Sequence, residues 1–205
     1  MGNFADVDLT GKAFCVFGLR GSGKSYCVHY IAKKYGRLAM VYDYLDEYPA
    51  DANYHTYTPK DRKSLPELEG ISRSIMTGRK YKLFIIDEAN RFCPSKPAPL
   101  PSAIADINDL HRHFNLAVGY VARRPVQLNQ DLTELAEYLF IFHLKGKSDI
   151  HYLNDITDGL GDAVLSLQEH YFVVVDKLLN YRICKPLPYD ASYEQSTHHK
   201  KIDKP

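Results

Sequence analysis

The stretch GLRGSGKS, Gly18 to Ser25, sets three glycines, a lysine and a hydroxyl in the order that wraps a chain of phosphates. Glycines let successive backbone N–H groups turn toward an anion, and the positive end of a following helix adds to the same field. Lys24 is placed to reach the β- and γ-phosphates of ATP, and the Ser25 hydroxyl to ligate Mg²⁺. The expected nucleotide-binding set is therefore Gly18, Leu19, Arg20, Gly21, Ser22, Gly23, Lys24 and Ser25, with Tyr26 directly after. The match to G-x-x-x-x-G-K-[ST] is complete. By chance it would arise in a chain this long on the order of one time in a hundred.

A second element is LFIIDEAN. Asp87 ends an apolar run and is expected in the Mg²⁺ shell. Glu88 follows it, where a carboxylate can orient and deprotonate an attacking water. A glutamate there could instead cap the segment that follows; its position beside a metal-binding aspartate favours the catalytic role.

Something must position these groups. Short apolar runs alternate with helical patterns along the chain, which predicts an α/β fold with a mainly parallel sheet. Strands are expected at Lys12–Phe17, Leu38–Tyr44, Lys82–Asp87, Leu116–Ala122, Tyr138–Leu144 and Tyr171–Asp176, with a last one at Tyr181–Lys185. Helices are expected at Lys24–Tyr35, Leu65–Met76, Ser102–Phe114, Leu132–Glu137, Asp149–Thr157 and Gly161–Leu165. The Pro-rich run CPSKPAPLP, residues 93–101, can be neither helix nor central strand and reads as a loop.

At 205 residues the chain suits one sizeable core, expected over 1–188, with a polar, mobile tail at 189–205. With 26 Lys+Arg against 25 Asp+Glu, the molecule as a whole is not cationic, so any nucleic acid must meet a local basic patch. Four scattered cysteines without CxxC spacing argue against zinc and against a disulfide framework. The first ten residues lack a signal-peptide pattern, and no run approaches the roughly 20 apolar residues of a membrane span. A soluble, intracellular protein is expected.

Together the phosphate loop, Asp87 and Glu88 resemble the ASCE (RecA-like) division of P-loop NTPases, the ATPases with an additional catalytic glutamate. That resemblance implies a three-layer α/β fold. The likeness narrows at VYDYLDEYP, residues 41–49, which is similar to the second-strand motif of the FtsK/HerA superfamily. The stretch from Ile86 to Leu132, IDEANRF…IADINDLHRHFNLAVGYVARRPVQLNQDL, resembles the HerA branch, and LSLQEHYFVVVD, residues 165–176, resembles its carboxyl-terminal strand. The resemblance implies that Arg112 reaches the ATP of a neighbouring subunit. A solvated arginine at a helix end is the plainer alternative. Where the family usually carries a sensor glutamine before Arg-Pro, this chain has Arg123, followed by Arg124 and Pro125. Arg123 could sense the γ-phosphate by charge, Gln127 could serve instead, and Arg124 could be structural.

The resemblance further implies a ring-shaped motor acting on double-stranded DNA independently of sequence. No room is expected for an added domain before Gly18, which makes the chain similar to the minimal genome-packaging ATPases of tailless icosahedral viruses with internal membranes. A homohexamer or homopentamer, located in the host cytoplasm or with the virion, is then expected, with capsid-vertex or membrane proteins as further partners. A HerA-like translocase for repair, conjugation or defence, a morphogenesis ATPase and a small-molecule kinase are the alternatives. Phosphate contacts are expected from Lys60, Arg62, Lys63, Arg79, Lys80 and Lys96, each of which could also be an ordinary surface charge.

Overall fold

A computed structural model describes residues 7–49, 53–190 and Tyr193. In chain order the elements are β1 Ala13–Phe17, α1 Lys24–Tyr35, β2 Ala39–Tyr42, β3 His55–Tyr57, α2 Leu65–Gly78, β4 Leu83–Ile86 and α3 Ser102–Leu110. After them come β5 Ala117–Ala122, α4 Gln130–Glu134, β6 Tyr138–Phe142, α5 Lys147–Ile156, α6 Leu160–Leu165, β7 Phe172–Asp176 and β8 Tyr181–Cys184. The strands make one eight-stranded sheet in the order β3-β2-β4-β5-β1-β6-β7-β8. From β3 to β6 every pairing is parallel; β7 and β8 add antiparallel.

Strands β1, β4 and β5 are buried at every residue, as an apolar run covered on both faces requires. Alternation along β1 divides the core in two. Phe14 and Val16 pack with Val28 and Ile31 of α1, whereas Cys15 and Phe17 pack with Leu68, Ile104, Leu132 and Leu153 of the opposite layer. The result is helix, sheet, helix: the expected three-layer α/β fold with a mainly parallel sheet.

Local chemistry explains where the elements begin and end. Ser64 caps α2 by accepting from Glu67 N, and Pro66 lies in the first turn, where its missing N–H costs nothing. Several expected boundaries need correction. The helix expected at Leu132–Glu137 begins at Gln130, because the Asn129 side chain accepts from Asp131 N and starts the turn early. Glu137 is therefore not helical; it precedes β6 and accepts from Ala13 N at 2.7 Å. The helix expected through Phe114 stops at Leu110 and tightens into a 3-10 turn over His111–Phe114, ended by Asn115 in a left-handed conformation. Strand β3 was not expected at all. Its three residues, His-Thr-Tyr, carry no apolar run, and pairing with β2 alone makes them a strand.

The Pro-rich segment is a loop, as expected. Asn129 anchors it, with its backbone N–H donating to Cys93 O and its side-chain amide to Ala98 O. Most of the expected tail lies outside the described residues. Asp190 pairs with Lys33, and Tyr193 packs edge-on against Tyr26 with ring centroids 5.2 Å apart. No helix of the described residues is long and apolar enough to cross a membrane.

The β1–β5–β4 contact leaves no room for a side chain at Gly119, where a Cβ would stand 2.4 Å from Phe14 Cζ and 3.1 Å from Ile85 Cγ1. Gly119→Ala should destabilise the fold by roughly 2 kcal/mol, lowering the melting temperature by about 5 °C. Gly70→Ala, on α2 with nothing within 4 Å of the new Cβ, should instead raise it slightly. Thermal unfolding of the two variants checks both signs.

Candidate nucleotide site

Parallel strands present their carboxyl ends along one edge, and the chain's chemistry gathers there. Phe17 of β1 pairs with Ala122 of β5, so Gly18 and Arg123 leave the sheet side by side. Ile86 of β4 pairs with Tyr120, which brings Asp87 and Glu88 to the same edge. Residues far apart in sequence thus share one site through register alone.

The loop Gly18–Ser25 is built around glycine. A Cβ at Gly18 would stand 2.5 Å from Ser22 Oγ and 2.6 Å from Phe142 Cβ. Gly23 caps α1 at φ 110° with no side-chain hydrogen bond, a conformation a Cβ would strain. The first N–H groups of α1 therefore have no side-chain acceptor at the cap and suit a phosphate. Ser22 Oγ is buried and makes no hydrogen bond, a further donor for an anion. Lys24 Nζ donates to Leu19 O at 2.9 Å, folding back over the loop. Burial lowers the Lys24 pKa, and the nearby carboxylates of Asp87 and Glu88 partly restore it. Tyr26 spends its hydroxyl on Pro188 O at 2.6 Å, tying the start of α1 to the carboxyl-terminal segment.

Asp87 is 5% exposed, and its Oδ1 accepts from Glu88 N at 2.9 Å. Burial, reinforced by the carboxylates of Glu88, Asp43 and Glu47, pushes its pKa up to about 7. A cation would reverse that cost. Among the described residues no group of three or more His, Cys, Asp or Glu could hold a metal by itself. The Ser25 hydroxyl and the buried Asp87 carboxylate are oxygen donors of the type Mg²⁺ takes when substrate phosphates and water supply the rest of its coordination.

Glu88 adopts φ 50°, ψ 39°, a left-handed conformation that is strained for glutamate. Its Oε1 accepts from Arg123 Nε at 2.8 Å, and Arg91 Nε stands 3.8 Å from its Oε2. These groups line a cavity of about 300 Å³ with Leu19, Arg20, Asn90, Arg124 and Gln127. Arg124 is committed elsewhere: its Nε donates to the buried Asp149 and its Nη2 to Ser148, both at 2.8 Å. This clamp joins the loop after β5 to α5. Asp43, Glu47, Arg91 and Asn90 had no role assigned from sequence. Arg91 was legible, three residues after Glu88 on a turn, whereas Asp43 and Glu47 act on Asp87 only across the β2–β4 pairing.

Arg112, Arg79 and Lys80 are not brought to this edge, since each precedes its strand. Arg112 lies before β5, a strand length or roughly 20 Å from the phosphate loop. There it pairs with Glu137, and its side chain is 66% exposed. The basic runs separate as well. Lys60, Arg62 and Lys63 sit at the amino end of α2, in a loop whose Lys60 and Asp61 N–H groups bond to Glu67. Arg79 and Lys80 sit at its carboxyl end, about 20 Å away over 14 residues, stacked on Phe114 and Tyr81. Lys96 is paired with Asp131 at 2.6 Å.

The sheet order, the loop after β1 and the buried Asp-Glu after β4 define a P-loop NTPase fold. Solved structures bear this out. The genome packaging NTPase B204 from Sulfolobus turreted icosahedral virus 2, in complex with AMPPCP, superposes with a TM-score of 0.75 at 18% identity over 89% of this chain and 100% of that one. Its complex with ATP-gammaS gives 0.73 at 19% identity, over 87% and 98%. The N-terminal domain of zonular occludens toxin from Neisseria meningitidis gives 0.58 at 14% identity, over 90% and 98%. No protein-family model matches the sequence, and no curated protein matches it either.

The buried Asp87 makes a stability prediction. Its folded-state pKa is about 7 against an ordinary 3.8, so ionisation burdens the folded protein. The burden is absent below about pH 4, accumulates as pH rises to 7 and is complete above it, on the order of 4 kcal/mol at most. Asp87→Asn should therefore raise the melting temperature by several degrees at pH 8, and the gain should shrink toward pH 4. Thermal unfolding across that range without nucleotide checks the sign.

Proposed function

We propose that this chain is a Mg²⁺-dependent ATP hydrolase that drives double-stranded DNA, as the genome-packaging ATPase of a tailless icosahedral virus. The observation that carries the hydrolase reading is the convergence of the Gly18–Ser25 loop, Asp87 and Glu88 on one sheet edge, with Glu88 beside Arg123. Lys24 and the loop N–H groups bind and orient the β- and γ-phosphates. Ser25 and Asp87 would hold Mg²⁺, which when bound would supply charge neutralisation on those phosphates. Glu88 accepts the proton of the attacking water as its oxygen bonds to the γ-phosphorus and the bond to ADP breaks, giving ADP and inorganic phosphate. The packaging role draws on the fold shared with B204, a genome packaging NTPase.

The ring is part of the proposal. Arg112 cannot reach the nucleotide of its own chain from the opposite sheet edge, so its catalytic role requires a neighbouring subunit. Residues 1–188 form the motor domain in this reading. DNA phosphates meet Lys60, Arg62 and Lys63, which lie at the same edge as the phosphate loop, ahead of Arg79, Lys80 and Lys96. Capsid-vertex or membrane proteins would anchor the ring in the host cytoplasm and on the virion.

Glu88→Gln should keep Mg·ATP binding and lose turnover by about 10²-fold or more, since it keeps the shape and loses the base. Turnover at the wild-type rate would sink the assignment. Arg112→Ala should leave ATP affinity nearly intact and lower turnover by roughly 10³-fold. Mixing it with Glu88→Gln protein should recover activity where subunits pair in the right order, and no recovery in assembled mixed rings would remove the role in trans.

DNA binding should weaken steeply with salt, by about 0.9 log units per tenfold salt for each phosphate contacted. Replacing Lys60, Arg62 and Lys63 by Ala should shallow that slope and reduce DNA-stimulated hydrolysis while sparing the basal rate. Salt titrations with two unrelated duplexes test this. A strong preference for one sequence, or hydrolysis indifferent to DNA, would count against a packaging motor.

A further inference from the structure

Arg123 and Glu88 form an ion pair in the cavity that Leu19 and Arg20 of the phosphate loop also line, and each is held in place by a separate constraint. Glu88 follows β4 in a left-handed backbone conformation and is 6% exposed. Arg123 is fixed by register, since it follows Ala122, the partner of Phe17, and so emerges beside Gly18. Its side chain is 43% exposed and faces the cavity. Charge on that cavity is lopsided. Arg20, Arg91, Arg123 and Arg124 line it, with Glu88 as the single carboxylate. Arg124 is occupied by Asp149 and Ser148, which leaves Arg123 as the guanidinium bound to the carboxylate itself.

A carboxylate bonded to a guanidinium is not free to turn toward an attacking water. A γ-phosphate arriving beside Lys24 offers Arg123 more negative charge than a carboxylate does, in a geometry that a planar guanidinium matches in two bonds. ADP, ending at its β-phosphate, offers no such exchange. We propose that the Arg123–Glu88 ion pair is a latch on hydrolysis: the γ-phosphate draws Arg123 onto itself, and only then is the Glu88 carboxylate released to accept a proton from water. The inference rests on Glu88 being the base. It adds that the chain tells ATP from ADP through the same arginine that restrains that base. Arg91 stands 3.8 Å from Oε2, too far for a hydrogen bond, so the bond a γ-phosphate must break is the one to Arg123.

If the latch exists, binding a γ-phosphate costs the breaking of the Arg123–Glu88 pair, and removing the carboxylate removes that cost. The test is a double-mutant cycle on affinity, with ATP-gammaS and ADP titrated calorimetrically in Mg²⁺ into wild type, Glu88→Gln, Arg123→Ala and the double variant. Glu88→Gln should bind ATP-gammaS about fivefold more tightly than wild type, with ADP affinity within about twofold. Arg123→Ala should bind ATP-gammaS more weakly, and in its background the gain from Glu88→Gln should vanish. An equal gain in both backgrounds, or an equal gain for ADP, would overturn the latch. Arg123→Gln, which keeps a hydrogen-bonding side chain without the charge, should reproduce the Arg123→Ala result; if the alanine variant unfolds, this variant decides the matter. Turnover separates the two claims. A Glu88→Gln protein that hydrolyses ATP normally overturns the base and the latch together, whereas an inactive one with no coupling overturns the latch alone.

Discussion

Parallel register across β4, β5 and β1 is the constraint on which the site depends. Pairing of Phe17 with Ala122 and of Ile86 with Tyr120 brings the ends of three strands within two residues of one another, so the phosphate loop, Arg123 and the Asp87–Glu88 pair meet at one edge. A slip of one residue in either pairing would turn buried side chains to the wrong face and carry Arg123 away from Glu88. Register is enforced by packing. Gly119 admits Phe14 and Ile85 because it has no side chain, and alternate residues of β1 fill two separate cores.

Charge at that edge is arranged at a cost to the fold. Asp87 is buried among other carboxylates, Glu88 sits on strained backbone, and Lys24 is partly desolvated. Each would be easier to hold in water, and each makes sense beside a polyanion with its cation. Such conflicts between local preference and observed geometry concentrate where chemistry is done. The guanidiniums of the cavity are set against these carboxylates, so the arrangement of charge can change when a phosphate joins it.

The opposite edge has its own logic. Glu137 accepts from Ala13 N and from Arg112, tying the starts of β1 and β6 to the turn before β5. Arg112 thus belongs to the structure of its own chain whatever else it contacts. Its side chain is exposed at the far edge from its own phosphate loop.

The phosphate loop, Asp87 and Glu88 were legible in sequence because their chemistry is local: a fixed spacing of glycine, lysine and serine, and two carboxylates ending an apolar run. The order of strands and helices was legible for a similar reason, since periodicity and turn residues act over a few positions. Only the tertiary structure decided what depends on pairing. It made a strand of the polar His55–Tyr57, moved Glu137 out of a helix to the start of the sheet, and parted Lys60–Lys63 from Arg79 and Lys80 by the length of α2. It also gave Arg123 its partner. Glu88 lies 35 residues earlier in the chain, and nothing in the local pattern around either residue carries the register that joins them. Local spacing fixes which groups a backbone can offer; long-range packing fixes which of them meet.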